Sequence, residues 1–125
     1  MDTGIFIAVV ALLILFIYSR LKPVKGLNTL SADEFRTELG KDRMLIDVRE
    51  PYEYKVGFIP GAKNFPLSQL QGRLKEIPTD RPILLYCRSG VRSKTAARLL
   101  LKNGYTDLTH LQGGMNSWNG KSARV

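Results

Sequence analysis

The chain of 125 residues holds one cysteine, Cys87, set between an apolar run and a polar turn in "LLYCRSGVRSK", Leu84 to Lys94. Arg88, Ser89, Gly90, Val91 and Arg92 follow it directly. A strand that gives way to a tight polar loop and then a helix makes the amide N–H groups of loop and first helical turn converge on one point. Gly90 supplies the backbone freedom for such a wrap, and the two arginines add positive charge. A thiol placed there is favoured as the thiolate, the form that acts as a nucleophile. The competing explanation is a small buried hydrophobe at a strand end. A structural cysteine needs neither the arginines nor the glycine-bearing turn, so Cys87 is the candidate nucleophile. No His, Asn or Asp is spaced as an acylation partner, and His110, the only histidine, is expected at a sheet edge. Activation by dipoles and arginines suits an anionic or soft electrophile: sulfane sulfur, phosphate or arsenate.

The elements that must position this loop alternate from residue 27 onward. "LNTL" is extended, and Ser31 with Glu34 three residues on predicts a capped helix that runs through Leu39 and stops at Gly40. "MLIDV", Met44 to Val48, is a short buried strand, and "FIPGAKNFP" is loop with one extended piece. Leu67 to Ile77 has helical spacing weakened by Gly72 and ended by Pro78. "PILLYC", Pro82 to Cys87, is the strongest strand. A helix is expected from Ser93 to Asn103, closed by Gly104, then a strand "LTHL" and a last helix from "QGGMNSW". Interleaved strands and helices predict an α/β domain with a mainly parallel sheet. Ligands of such sheets bind beyond the carboxyl ends of the strands. Cys87 lies at one such end, and Asp47 and Arg49 at another.

The first segment differs in kind. Gly4 to Tyr18, "GIFIAVVALLILFIY", carries no charge. Those 15 residues fall short of the roughly 20 that span a bilayer, but Met1 to Leu21 reaches 21. Arg20 can snorkel there and Tyr18 suits an interface. A buried core helix or a cleaved signal peptide are the alternatives. The start "MDTG" lacks a basic region and no A-x-A site follows, which argues against the second. Residues 1–21 are therefore expected to be a transmembrane helix, 22–26 a linker holding Pro23 and Gly26, and 27–120 the domain, with 121–125 a tail. Asp2 precedes the apolar run while Arg20, Lys22 and Lys25 follow it. The positive-inside rule then predicts a single-pass protein with its N-terminus outside and its domain cytoplasmic.

The formal charge of +8 points to anionic partners. Nucleic acid is not among them, because the cations are scattered and no helix-turn-helix signature accompanies them. One cysteine allows neither an internal disulfide nor a CxxC pair, and one Cys with one His does not make a zinc site. A reducing cytosol suits the unpaired thiol.

Residues 27–120 resemble a single rhodanese domain. "LIDVREPYEY" is similar to the family's Asp-Val-Arg-Glu block and "GFIPGAKNFP" to its Ile-Pro-Gly-Ala block. "YCRSGVRS" is similar to its active loop, and "LQGGMNSW" to its Gly-Gly…Trp ending. One departure is Phe58, where many members have His. The resemblance implies a rhodanese-like fold and sulfur transfer through a Cys87 persulfide, from thiosulfate or a similar anionic donor to a thiol or cyanide, with no cofactor and no metal. Arg88, Ser89, Gly90, Val91 and Arg92 would cradle the sulfur with their amides, and Arg88 and Arg92 would attract the donor. Asp47 and Arg49 would either support the neighbouring loop, with Glu53 as a partner, or form an ion pair with no contact to substrate. Trp118, Gly113 and Gly114 are assigned to packing. Related phosphatases place five residues between Cys and Arg to wrap a tetrahedral phosphate, whereas four separate Cys87 from Arg92. An arsenate reductase would also need a resolving thiol, and a non-catalytic interaction module at a membrane is the third alternative.

Overall fold

The computed structural model describes residues 2–125. Its centre is a five-stranded sheet in the order β1-β5-β4-β2-β3, and every neighbouring pair of strands is parallel. The strands are β1 (Leu27–Leu30), β2 (Met44–Asp47), β3 (Lys63–Asn64), β4 (Ile83–Tyr86) and β5 (Leu108–Leu111). The helices are α1 (Thr3–Leu21), α2 (Ala32–Glu38), α3 (Pro51–Val56), α4 (Leu67–Leu70) and α5 (Val91–Lys102). Two 3-10 segments, Gln71–Glu76 and Gly114–Ser117, complete the chain.

Every residue of β2, β4 and β5 is buried, as expected for strands covered on both faces. The period of two then sorts the core. Ile83, Leu85 and Cys87 pack with Met44, Ile46, Phe65, Ala96 and Leu100 on the α5 face. Leu84 and Tyr86 pack with Phe35, Ile59 and Leu111 on the α2 face. A one-residue register slip in β4 would carry Cys87 to the wrong side of the sheet.

Local chemistry explains most boundaries. Ser31 accepts from the Glu34 amide while Glu34 accepts from the Ser31 amide, a reciprocal cap that starts α2. The helix α3 was not expected from its polar sequence, yet Pro51 opens it and the Glu53 carboxylate accepts from the Glu50 amide at 3.1 Å. The stretch from Leu67 is α-helical only as far as Leu70 and then tightens to 3-10 geometry. The helix α5 starts at Val91, two residues before the expected Ser93, because Gly90 takes φ +104° and ends the loop there. The last expected helix is a single 3-10 segment.

Helix α1 carries no buried residue, and its apolar window has a mean hydropathy of 2.4. Nineteen residues span about 28 Å, so it is long and apolar enough to cross a membrane. It is not detached from the domain: Lys94 Nζ, on α5, donates to the Leu21 carbonyl at 2.9 Å. At the other terminus Ala123 exchanges two backbone hydrogen bonds with Phe58, and the Val125 amide donates to the Lys55 carbonyl.

Candidate active site

Strand β4 delivers Cys87 to the carboxyl edge of the sheet with 1% of its surface exposed. The chain turns through Arg88 and Ser89, both exposed, to the buried Gly90, whose amide donates to Cys87 Sγ at 3.0 Å. Helix α5 follows at once, so its N-terminal end, the positive end of the helix dipole, sits beside the sulfur.

A second turn locks this loop from behind. The Met115 amide donates to the Cys87 carbonyl at 2.9 Å and the Asn116 amide to the Arg88 carbonyl at 3.0 Å. Gly114, at φ +56°, makes that approach possible: a Cβ there would lie 2.3 Å from the Cys87 carbonyl oxygen. Gly114 thus serves packing, but the thing it packs is the loop itself, whereas a Cβ at Gly113 would run into Ser117 of its own turn. Trp118 lies on the far face, edge-on to Phe35.

The two loop arginines differ. Arg88 has no ion-pair partner among the described residues, and it lines a cavity of about 370 Å³ together with Arg49, Tyr52 and Glu53. Arg92 is engaged. Its guanidinium donates to both oxygens of Glu53 at 2.7 and 3.0 Å. The hydrogen bond from Arg92 is the main reason the Glu53 carboxyl is held at about 2. A cation in the first turn of a helix is unfavourable to the dipole, and Glu53 offsets it. Glu53 is therefore the partner of Arg92, not of the Asp47–Arg49 pair.

Asp47 is fully buried and takes Arg49 in a fork: Nη2 donates at 2.6 Å and Nε at 3.1 Å, with the Arg49 amide at 2.8 Å. Arg49 Nη2 also donates to the Gly57 carbonyl at 2.6 Å, tying α3 to the sheet. Burial opposes the Arg49 charge, but hydrogen bonds and attraction from Asp47 outweigh it and hold the guanidinium above its usual range. None of the hydrogen bonds of Asp47 or Arg49 reaches the thiol or the loop.

His110 is not at an edge. Strand β5 lies between β1 and β4, which leaves the ring 2% exposed. Its Nδ1 is 2.7 Å from Ser93 Oγ, and its Nε2 is 3.1 Å from Thr29 Oγ1. Burial, aided by the Lys94 charge, pushes the imidazole down to about 4. The thiol of Cys87 donates to the same Ser93 oxygen at 3.5 Å. Ser93 and Thr29 were not marked by the sequence as neighbours of the thiol, and His110 was placed at a sheet edge instead. The only signal for the contact was that Ser93 falls on the first turn of the helix that opens behind Cys87.

A sequence model described as the Rhodanese-like domain matches residues 31–121. The "Uncharacterized protein YqhL" of Bacillus subtilis (strain 168) is 46% identical over 117 residues, covering 94% of this chain and 92% of its own. A "Sulfurtransferase" of Allochromatium vinosum is 41% identical over 78 residues, 62% of this chain and 73% of its own. Among solved structures, a rhodanese-like domain protein from Staphylococcus aureus superposes with a TM-score of 0.72 at 28% identity, covering 78% of this chain and 98% of its own.

Proposed function

The chain belongs to the rhodanese-like domain family, and from that membership we propose that it is a sulfurtransferase working through a persulfide on Cys87. The observation that carries this reading is the Gly90 amide 3.0 Å from a buried Cys87 sulfur, in a loop where only four residues separate Cys87 from Arg92. A ring that small fits a single sulfur atom, and the relative named as a sulfurtransferase supports the same class of chemistry.

In the first step Cys87 Sγ, as thiolate, attacks the outer sulfur of thiosulfate or a similar anionic donor. The donor's S–S bond breaks, its electron pair leaves on sulfite, and an Sγ–S bond forms. Loop amides and the N-terminal end of α5 stabilise the resulting negative charge, as an oxyanion hole does. In the second step a thiol or cyanide attacks the outer sulfur and the electron pair of the Sγ–S bond returns to Cys87. The cycle is a double displacement with one covalent intermediate. Arg88, unpaired and beside a cavity, is the residue to attract the donor. Arg92 contributes less, because Glu53 neutralises it. Asp47 and Arg49 support the loop that carries α3.

Helix α1 anchors this activity in a membrane as a single span. Arg20, Lys22 and Lys25 follow the apolar run, so the domain lies on the cytoplasmic side and the N-terminus outside. The deciding experiment is mass spectrometry of the protein after exposure to thiosulfate. One sulfur atom per chain should appear, cyanide should remove it as thiocyanate, and Cys87→Ser should fold and do neither. Sulfur transfer retained by that variant sinks the assignment.

A further inference from the structure

A buried polar chain lies behind the nucleophile. It begins at Cys87 Sγ, 3.5 Å from Ser93 Oγ, and continues 2.7 Å to His110 Nδ1. On the other side of the ring it passes 3.1 Å from Nε2 to Thr29 Oγ1 on β1. Cys87, Ser93 and His110 are buried, and Thr29 is exposed. Thr29 and His110 both line a cavity of about 340 Å³ bounded by Gly90 and by Val24 of the linker. A thiol that is 1% exposed thus has a hydrogen-bonded route to solvent on the side of the sheet edge.

We propose that Ser93, His110 and Thr29 are positioning residues that form a reversible hydrogen-bond relay for the Cys87 proton, with His110 switching tautomer as the sulfur gains or loses charge. The inference rests on Cys87 being the nucleophile. In the thiol state S–H donates to Ser93 Oγ, Ser93 O–H donates to His110 Nδ1, and Nε2–H donates to Thr29. When the proton leaves, each group passes one hydrogen outward: sulfur to Ser93, Ser93 to Nδ1, Nε2 to Thr29, and Thr29 to water. One proton reaches solvent, and the ring ends neutral with its hydrogen on Nδ1. Ser93 then points its hydroxyl hydrogen at the sulfur anion, a charge-assisted hydrogen bond.

Two features favour a relay over a stored Cys–His ion pair. The ring is buried in the sheet and faces the Lys94 cation of α5, so it holds an extra proton poorly near neutrality. Its two nitrogens are also both partnered by hydroxyls, which accept or donate equally well. The other charges around the sulfur are fixed: Arg92 on α5 is paired with Glu53 of α3, Arg88 lies in the loop, and β1 carries no titratable side chain. The Gly90 carbonyl, 3.1 Å from Ser93 Oγ, is the competing acceptor for the serine hydrogen. A serine committed to it would leave the ring unchanged.

His110 is the only histidine in the chain, so nitrogen-15 labelling of histidine gives one unambiguous ring to observe. The full-length protein in detergent would be titrated with pH while the ultraviolet absorbance of the thiolate is followed in parallel. The expected result is a change from the Nε2–H to the Nδ1–H tautomer in step with thiolate formation. Ser93→Ala should abolish that coupling and Ser93→Thr should preserve it. A single tautomer throughout overturns the relay, as does a protonated ring appearing with the thiolate, or coupling that survives Ser93→Ala. If the variants do not fold, the wild-type titration alone decides. No sulfur donor is present in the experiment, so a failure of the relay is distinguishable from a failure of sulfur transfer, which persulfide loading reports separately.

Discussion

Replacing Gly114 by Ala should damage catalysis far more than a comparable glycine replacement elsewhere. The new Cβ would stand 2.3 Å from the Cys87 carbonyl oxygen and 2.6 Å from the Arg88 carbonyl carbon, both backbone atoms. To restore ordinary contact the loop must retreat by about 1 Å. Forcing atoms into a packed site costs about 1–3 kcal/mol, and holding Ala at φ +56° adds about 1–2 kcal/mol. A misplacement of about 1 Å at a reacting group lowers rate by about a hundredfold. Gly104→Ala is the control. Its φ is +92° and no heavy atom lies within 4 Å of its would-be Cβ, so it bears the conformational cost alone. Unfolding curves would give both stabilities, and thiocyanate release from thiosulfate and cyanide would give both rates, at a temperature where each variant is folded. Wild-type turnover by Gly114→Ala refutes the reasoning, and so does an equal loss of rate in Gly104→Ala.

Glu53 gives a pH prediction. Its carboxyl is held at about 2 against an ordinary 4.5, so its pairing with Arg92 stabilises the fold fully above about pH 4.5. That contribution is lost as pH falls toward 2, and Glu53→Gln should flatten this part of a melting-temperature profile, an unchanged acid limb counting against it. For the proposed topology, an impermeant thiol reagent should leave Cys87 unlabelled in sealed, right-side-out membranes until they are opened. Labelling in intact membranes reverses the orientation.

The strands and the turn that follows Cys87 were legible because they rest on local signals. Val48, Ile83 and Leu85 belong to apolar runs of strand length, and Cys87 is followed by a glycine that a loop-to-helix turn requires. The α3 helix was hidden by its polar residues, although Glu50, Pro51 and Glu53 carried its start signal. Strand order was not legible at all. Nothing local says that β5 inserts between β1 and β4, and this insertion turns His110 from an edge residue into a buried neighbour of Ser93. The Arg92–Glu53 pair likewise joins residues 39 apart in sequence, so the charge on the loop was overcounted.

The bond from Lys94 to the Leu21 carbonyl has a consequence for supply. It holds the foot of α1 one lysine side chain away from α5, and Leu21, Ser89 and Gly90 share the walls of one cavity. With α1 in a bilayer, as proposed, the loop after Cys87 would work inside the ionic layer of the membrane and sample concentrations set there. An anionic leaflet sits at about −30 mV, which depletes a dianion such as thiosulfate roughly tenfold at its surface. The field fades over about 8 Å at physiological salt, and the chain's formal charge of +8 opposes it locally. On the proposed reading, lipid composition would therefore be a determinant of the apparent affinity for an anionic donor, while a neutral or lipid-dissolved acceptor would feel no such barrier.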